Sequence, residues 1–410
     1  MRILFIFSSL LLLVGSARAQ VLDSLLRNRS AVRDTGIVTN KDAIFNRPFV
    51  IEANLGRSST AIGGYVEGNT NYFATDGITD GFTMELRRFN LFVYSGIANR
   101  IKFLSELEFE HGTKEISLET ALIDFEFHPY FNFRAGILLP PIGYFNQNHD
   151  SPKWEFVDRP LVSTTIIPAT LSEIGFGVHG KIPVGARRVV TYELYAVNGL
   201  RDGLIANSEG RTSLQQGKSE DMFEEDNNGT PMVTGRLAFK DRKRGEVGIS
   251  AYGGAYNTFR VDGLPVDQRR TLGLYAIDWN LSFGKLQVNG ELATVQVQVP
   301  ATYIQSFGKK QFGWHLDLIY PLRRGPLFGW SNTIINLNLR TEYVDYNLDH
   351  FNETGGKIYD EISAIVPGVS LRIQSNTVLR FNYRYQQTTD LLGNPPARTA
   401  GFQFGVASYF

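Results

Sequence analysis

Much of the chain beyond residue 48 alternates between apolar and polar residues with a period of two. In the segment 101–110, Phe103 and Leu107 alternate with Glu106 and Glu108. A period of two places successive side chains on opposite faces of a β-strand, so each segment has one apolar and one polar face. The same pattern recurs in 131–137, 312–318, 335–343 and 379–385. It predicts an all-β fold.

Strand length separates the two environments that use such strands. A soluble sandwich has shorter strands, whereas transmembrane barrels need about 9–11 residues per strand and alternate short periplasmic turns with long extracellular loops. We therefore predict a transmembrane antiparallel β-barrel of about 16 strands, since the candidate segments fit that pattern. These segments are 60–73, 82–97, 100–110, 114–127, 130–139, 173–183, 187–198, 231–240, 244–257, 269–282, 284–299, 311–320, 330–346, 357–373, 376–387 and 400–410.

Both ends of the sequence favour export to a membrane. Arg2, a short apolar run and the motif Ala17-Arg18-Ala19 predict a secretory signal peptide, with the mature protein starting at Gln20. At the other end, Phe402 and Phe404 share one face with the final residue, Phe410. This pattern resembles the terminal strand of bacterial outer-membrane barrels. We expect a signal peptide (1–19), a periplasmic N-terminal tail (20–46) and a transmembrane β-barrel (47–410).

The composition excludes several classes of protein. Lys and Arg together number 41, as do Asp and Glu, so the chain has no overall charge that would attract nucleic acid. It contains no cysteine, which excludes disulfides, thiolate metal sites and cysteine nucleophiles.

Residues 175–180 fit G-x-G-x-x-G, but they alternate as a strand and do not form the strand-to-helix turn of a nucleotide site. We predict no enzyme activity and no cofactor.

The segment 140–172 does not alternate. It begins with Pro140-Pro141, contains Trp154 and several more prolines, and is too long for a turn. A structured loop of this length is usually functional. In a barrel too wide for its own side chains to fill, such a loop folds inward and forms a constriction.

Several motifs together resemble the phosphate-selective porin O and P family. They are Met84-Glu85-Leu86-Arg87-Arg88-Phe89, the glutamates at 106, 108 and 110, Arg134-Ala135-Gly136, Pro140-Pro141, Phe156-Val157-Asp158-Arg159-Pro160 and the glycine strand 175–180. The resemblance implies a sixteen-stranded, often homotrimeric porin of the bacterial outer membrane. It also implies that a loop folds into the pore and that basic lumen residues guide anions.

The candidate pore residues are basic. Arg134 lies on the predicted lumen face, and the apolar phase switches around Arg87 and Arg88, which predicts a bulge that turns at least one of them inward. Arg159 has a second interpretation, in which it fixes the loop to the wall through Glu106 or Glu108. The complete set of candidates is Arg87, Arg88, Arg134, Lys153 and Arg159.

The predicted function is passive diffusion of small hydrophilic solutes, including anions such as phosphate, through an outer-membrane porin. Its partners are membrane lipid and these solutes. One alternative is an adhesion or binding barrel whose pore is closed. The other is a barrel hydrolase, for which His315 and Asp317 on one lumen face supply two members of a Ser-His-Asp set.

Overall fold

Sixteen antiparallel strands form one closed barrel. A computed structural model describes residues 36–48, 51–55, 58–98, 100–300, 307–351 and 353–410. Each barrel strand pairs with the next along the chain, and the last pairs with the first, so the sheet closes on itself. The predicted strand number is confirmed. The strands are Ser58–Thr75 (β1), Phe82–Ala98 (β2), Ile101–Glu110 (β3), Glu115–His128 (β4), Phe131–Leu138 (β5), Glu173–Pro183 (β6), Arg188–Val197 (β7), Met232–Asp241 (β8), Gly245–Ala255 (β9), Thr271–Phe283 (β10), Leu286–Val297 (β11), Lys310–Leu327 (β12), Trp330–Asp345 (β13), Glu361–Ile373 (β14), Thr377–Thr389 (β15) and Ala397–Tyr409 (β16).

The two faces of the sheet follow the alternation in the sequence. In β15, Phe381 points outward and is 50% exposed, whereas the neighbouring Asn382 points inward and is buried. In β8, Leu237 and Arg236 show the same opposition. An apolar outer face and a polar inner face are what a membrane barrel requires, because the outer face contacts lipid.

Short turns and long loops lie at opposite ends of the barrel. The turn between β12 and β13 consists of Phe328 and Gly329, whose φ angles are 50° and 88°. Positive φ at both residues is the type I′ geometry, which matches the twist of a two-residue hairpin. The long connections at the other end include 139–172 and 198–231. In outer-membrane barrels the short turns face the periplasm, which gives the expected orientation.

The remaining elements are small. A strand, Ile51–Leu55, pairs with the start of β1, and a two-stranded ribbon joins Arg260–Val261 to Leu264–Pro265. Single helical turns occur at Asn40–Asp42, Ser151–Lys153, Val162–Ile166, Asp202–Leu204, Gln215–Gly217 and Glu220–Phe223. Among the described residues, no helix has the length and apolar character needed to cross a bilayer.

Segments from outside the barrel strands occupy the lumen, which would otherwise be wide enough for an aqueous channel. The inward loop (139–172) contributes Ile142, Phe145 and Ile166 to a buried apolar cluster inside the barrel, and the N-terminal segment (36–48) adds Ile44. The described part of the predicted periplasmic tail, 36–46, thus lies inside the barrel. Residues 20–35, the predicted signal peptide (1–19) and the predicted start at Gln20 lie outside the described residues.

Candidate functional site in the barrel lumen

Glu291 of β11 fixes both arms of the inward loop to the wall. Its carboxylate accepts the Tyr144 N–H and the Ser163 hydroxyl, each at 2.7 Å. The first arm approaches so closely that Gly143 is required: its φ is +64°, and a Cβ there would lie 2.0 Å from Glu291 Oε2. One buried carboxylate therefore positions the start of the loop and its return.

Arginines of the wall hold the middle of the inward loop. Arg380 of β15 donates to the Phe156 carbonyl at 2.9 Å, and Arg340 of β13 donates to the Asp158 carbonyl at 2.8 Å. Arg340 also binds both oxygens of Asp317, at 2.6 and 2.7 Å. Because the loop starts and ends at β5 and β6, these contacts show that it crosses the lumen, as predicted.

The bulge predicted at Arg87 and Arg88 is present. The pairing of β1 with β2 shifts register there, so Arg87 has no partner in the ladder. Arg87 lies 3.0 Å from a carboxylate oxygen of Asp158 in the inward loop, and Arg88 lies 2.9 Å from Glu67 on the wall. Both arginines face the lumen, and both meet an acid.

Two further candidates are ion-paired in the same way. Arg134 faces the lumen, as predicted, and its guanidinium lies 2.7 Å from Asp124 of the adjacent strand. The Lys153 ammonium lies 2.8 Å from Asp150 within the inward loop. A short pair of this kind offsets the positive charge that a passing anion would experience.

Arg159 has the most distant acidic partner of the five candidates. Its guanidinium is 4.0 Å from Glu108, donates to the Thr170 hydroxyl at 3.2 Å and lies 5.7 Å from the centre of the Phe145 ring. The contact with Glu108 is the wall contact expected from the sequence, but it is long.

The structure thus brings all five candidates into the lumen and gives each of them at least one carboxylate partner. Arg88 has three, since it also lies 2.7 Å from Glu110 and 3.7 Å from Glu108, the partner of Arg159. The result is a mixed lining of paired charges. Its net field on a permeating ion is weak compared with that of an unpaired ring of one sign.

A buried charge network was not predicted from the sequence. The Arg47 guanidinium lies 2.7 Å from Asp150 and 2.8 Å from Glu106, and all three side chains have no exposed surface. Next to them, His149 lies 2.9 Å from Glu119. Burial alone would lower the pKa of His149, but the nearby carboxylates outweigh burial and raise it to about 10.

One local signal for the order of the N-terminal segment, which carries Arg47, was available in the sequence. Thr39 and Asp42 have the spacing of a capping box, and both the backbone N–H and the hydroxyl of Thr39 donate to Asp42 at 2.9 Å. This motif indicates an ordered turn in a segment that does not alternate as a strand. It does not indicate where that turn binds.

Glu106, His149 and Asp150 have the donor types of a metal site, and their potential ligand atoms lie within 4.8 Å of one another. However, the Arg47 guanidinium already contacts both carboxylates of this group. The positive charge that a metal would supply is therefore supplied by the chain itself, and we assign no metal to this group.

The arrangement of His315 and Asp317 does not fit a hydrolytic triad. In a triad, the acid orients the histidine by a hydrogen bond. Asp317 instead binds Arg340 through both its oxygens, and His315 Nδ1 is buried without a hydrogen-bond partner. Asp317 therefore positions Arg340, which in turn holds the inward loop.

Comparison with solved structures places the fold among outer-membrane channels. The barrel is similar to OmpT, an outer membrane protein of Vibrio cholerae (TM-score 0.52, 10% identity, covering 88% of this chain and 100% of that one). It is also similar to the anion-selective porin of Comamonas acidovorans (0.51, 12%, 86% and 100%) and to the outer membrane channel DcaP of Acinetobacter baumannii (0.53, 10%, 86% and 97%). The chain has a porin-type barrel.

Sequence comparison is less informative. An uncharacterized protein of Aquifex aeolicus is 27% identical over 293 residues, which cover 65% of this chain and 63% of the relative. The chain thus spans less than two thirds of the length of that relative. No family model matches, so membership of the phosphate-selective porin O and P family stays a prediction.

Proposed function

We propose that this protein is a channel of the bacterial outer membrane through which small hydrophilic solutes diffuse passively. The observation that carries the proposal is the closed sixteen-strand barrel with a polar inner face, crossed by an inward loop. Barrels of this width have room for a solute path once loops are accounted for. Export by the signal peptide 1–19 and assembly as a homotrimer belong to the same proposal and rest on the sequence alone.

Conductance in planar bilayers tests the proposal. Protein whose gel mobility changes on heating, as expected of a folded barrel, should give discrete ohmic steps after insertion. Folded protein that inserts into the bilayer but stays silent in every state would contradict the channel function. Silence combined with specific capture of a surface ligand would favour the adhesion barrel.

Anion preference is the finer part of the proposal, and Arg159 is its best candidate. Its acid partner is 4.0 Å away, whereas Lys153 has an acid at 2.8 Å. The double variant Lys153→Glu with Arg159→Glu should move the reversal potential in a salt gradient toward cations. If Arg159 only fixes the loop, Arg159→Gln should raise conductance without changing selectivity.

The matched control for charge is Lys243→Glu. Lys243 lies in an exposed short turn outside the lumen, between β8 and β9. Lys243→Glu makes, outside the lumen, the same charge change as each single substitution of the double variant, so the reversal potential should not move. Unchanged conductance and selectivity in the Lys153 and Arg159 double variant would place the constriction elsewhere.

A further inference from the structure

The N-terminal segment is bound at several separate points inside the barrel. The Asn40 N–H donates to Glu246 of β9 at 3.0 Å, and the Asn40 side chain donates to the Tyr144 carbonyl of the inward loop at 3.2 Å. Lys181 of β6 donates to the Ile37 carbonyl at 2.8 Å. The segment therefore joins two parts of the wall to the loop.

Arg47 makes the strongest attachment. Its guanidinium binds Asp150 of the inward loop and Glu106 of β3, and it lies 4.2 Å from the centre of the Phe92 ring on β2. A buried ion costs several kcal/mol of desolvation unless it is paired and hydrogen-bonded. An arginine with no exposed surface and two carboxylate partners thus defines a specific bound position for the segment.

The segment sits toward the short-turn end of the barrel. Lys181 lies near the end of β6, just before the turn 184–187, and Glu246 is the second residue of β9, just after the turn 242–244. Short turns mark the periplasmic side of an outer-membrane barrel. The segment consequently covers the periplasmic mouth, next to the inward loop.

We propose that residues 36–48 are an internal plug, which closes the periplasmic side of the lumen when bound and opens it when released. The inference rests on the proposed channel function. The segment is seated partly by burial of Ile44 and partly by hydrogen bonds and ion pairs, and water can replace these polar contacts once the segment moves. The groups left behind, Glu106, Asp150 and Glu246, are polar and would line a solute path.

A reversible cross-link tests the plug. The chain has no cysteine, so Asp42→Cys with Lys181→Cys gives one defined thiol pair. In the native protein these two side chains are 2.9 Å apart. A bis-maleimide with a disulfide in its spacer should join them in the folded barrel and hold the segment in place. The two single-cysteine variants, treated with the same reagent, are the controls.

Bilayer recordings then compare the cross-linked channel with the same channel after a reductant has cleaved the spacer. Open events should become more frequent after cleavage. In full-length Arg47→Gln they should be roughly tenfold or more as frequent as in the wild type, since the loss of one hydrogen bond to a charged group changes an equilibrium by at least that factor. Arg47→Lys, which keeps the charge, should open less often than Arg47→Gln.

The outcomes separate the two proposals. Equal conductance before and after cleavage would overturn the plug and leave the channel function standing. Failure of the thiols to cross-link in folded protein would also overturn the plug, because the segment would not be seated in the lumen. Silence in every state, with cross-linking intact, would overturn the channel function and the plug with it.

Discussion

Replacing Glu291 by alanine should release the inward loop without unfolding the barrel. The carboxylate is the acceptor for two backbone amides, Tyr144 N–H at 2.7 Å and Phe145 N–H at 3.3 Å, and for the Ser163 hydroxyl. A buried donor left without a partner costs about 1–3 kcal/mol, so the two amides together account for about 2–6 kcal/mol of local stability. The ladder of β11 does not depend on this side chain.

The matched variant is Glu291→Gln. Its single carbonyl oxygen can accept both amides while its NH₂ donates to Ser163, so it should stay close to the wild type in local stability. Hydrogen exchange followed by mass spectrometry measures the difference. In Glu291→Ala, the amides of Tyr144 and Phe145 should exchange roughly 30-fold faster or more, since each 1.4 kcal/mol corresponds to about a factor of ten.

The same experiment provides the refutation. If the amides at 144 and 145 are equally protected in Glu291→Ala and in the wild type, the loop is held by other contacts and Glu291 is not its anchor. If Glu291→Gln and Glu291→Ala lose protection equally, the negative charge is what matters, and counting hydrogen-bond acceptors is the wrong explanation. Heat-dependent gel mobility of both variants should stay that of a folded barrel.

Three other changes test the faces, the terminus and the charge network. Phe381 lies on the outer face, so Phe381→Arg should lower the free energy of unfolding by about 2–4 kcal/mol near mid-membrane, whereas Phe381→Leu should leave it nearly unchanged. Similar losses in the two variants would contradict the outward assignment. Phe410→Ala should reduce the yield of assembled barrel more than Tyr409→Phe does, because the Phe410 ring stacks on the Phe89 ring of β2 with 5.5 Å between the ring centres. Equal yields of the two variants would count against the terminal-strand assignment. Because the pKa of His149 is raised to about 10, protonated His149 stabilises the folded loop fully below about pH 6.5, and this contribution is lost as the pH rises to about 10. His149→Gln should therefore remove this part of the pH dependence of amide exchange. An unchanged pH profile in His149→Gln would refute this role of His149.

The strand faces were predictable because a membrane barrel separates two solvents. Lipid on one side and a polar interior on the other force the period of two, so Phe381 and Asn382 can be assigned from their positions alone. The bulge at Arg87 was predictable for the same reason, because an extra residue must shift the apolar phase.

The interior was not predictable to the same degree, because ion-pair partners are chosen by three-dimensional proximity. Asp150 lies 103 residues after Arg47 in the chain, and no local pattern connects the two. The structure places Arg134 and Lys153 in the lumen, but the acids that offset their charge could be assigned only from the structure. Residues 36–46 suggested a tail because their apolar residues, among them Ile37, Ile44 and Phe45, do not have the period of two of a strand.

The pairing of β16 with β1 has a consequence for biosynthesis. The hydroxyls of Thr75 and Thr399 are 2.8 Å apart across this last seam but 324 residues apart in the chain. Chain entropy makes such closure inexpensive, since a tenfold longer loop adds only about 2 kcal/mol. Its timing is nevertheless constrained, because the final strand is the last one to be made. A nascent chain that stops before residue 397 exposes β1 and β15 as unpaired edges, and unpaired edges promote aggregation and degradation. Closure of the seam thus requires a chain that includes β16.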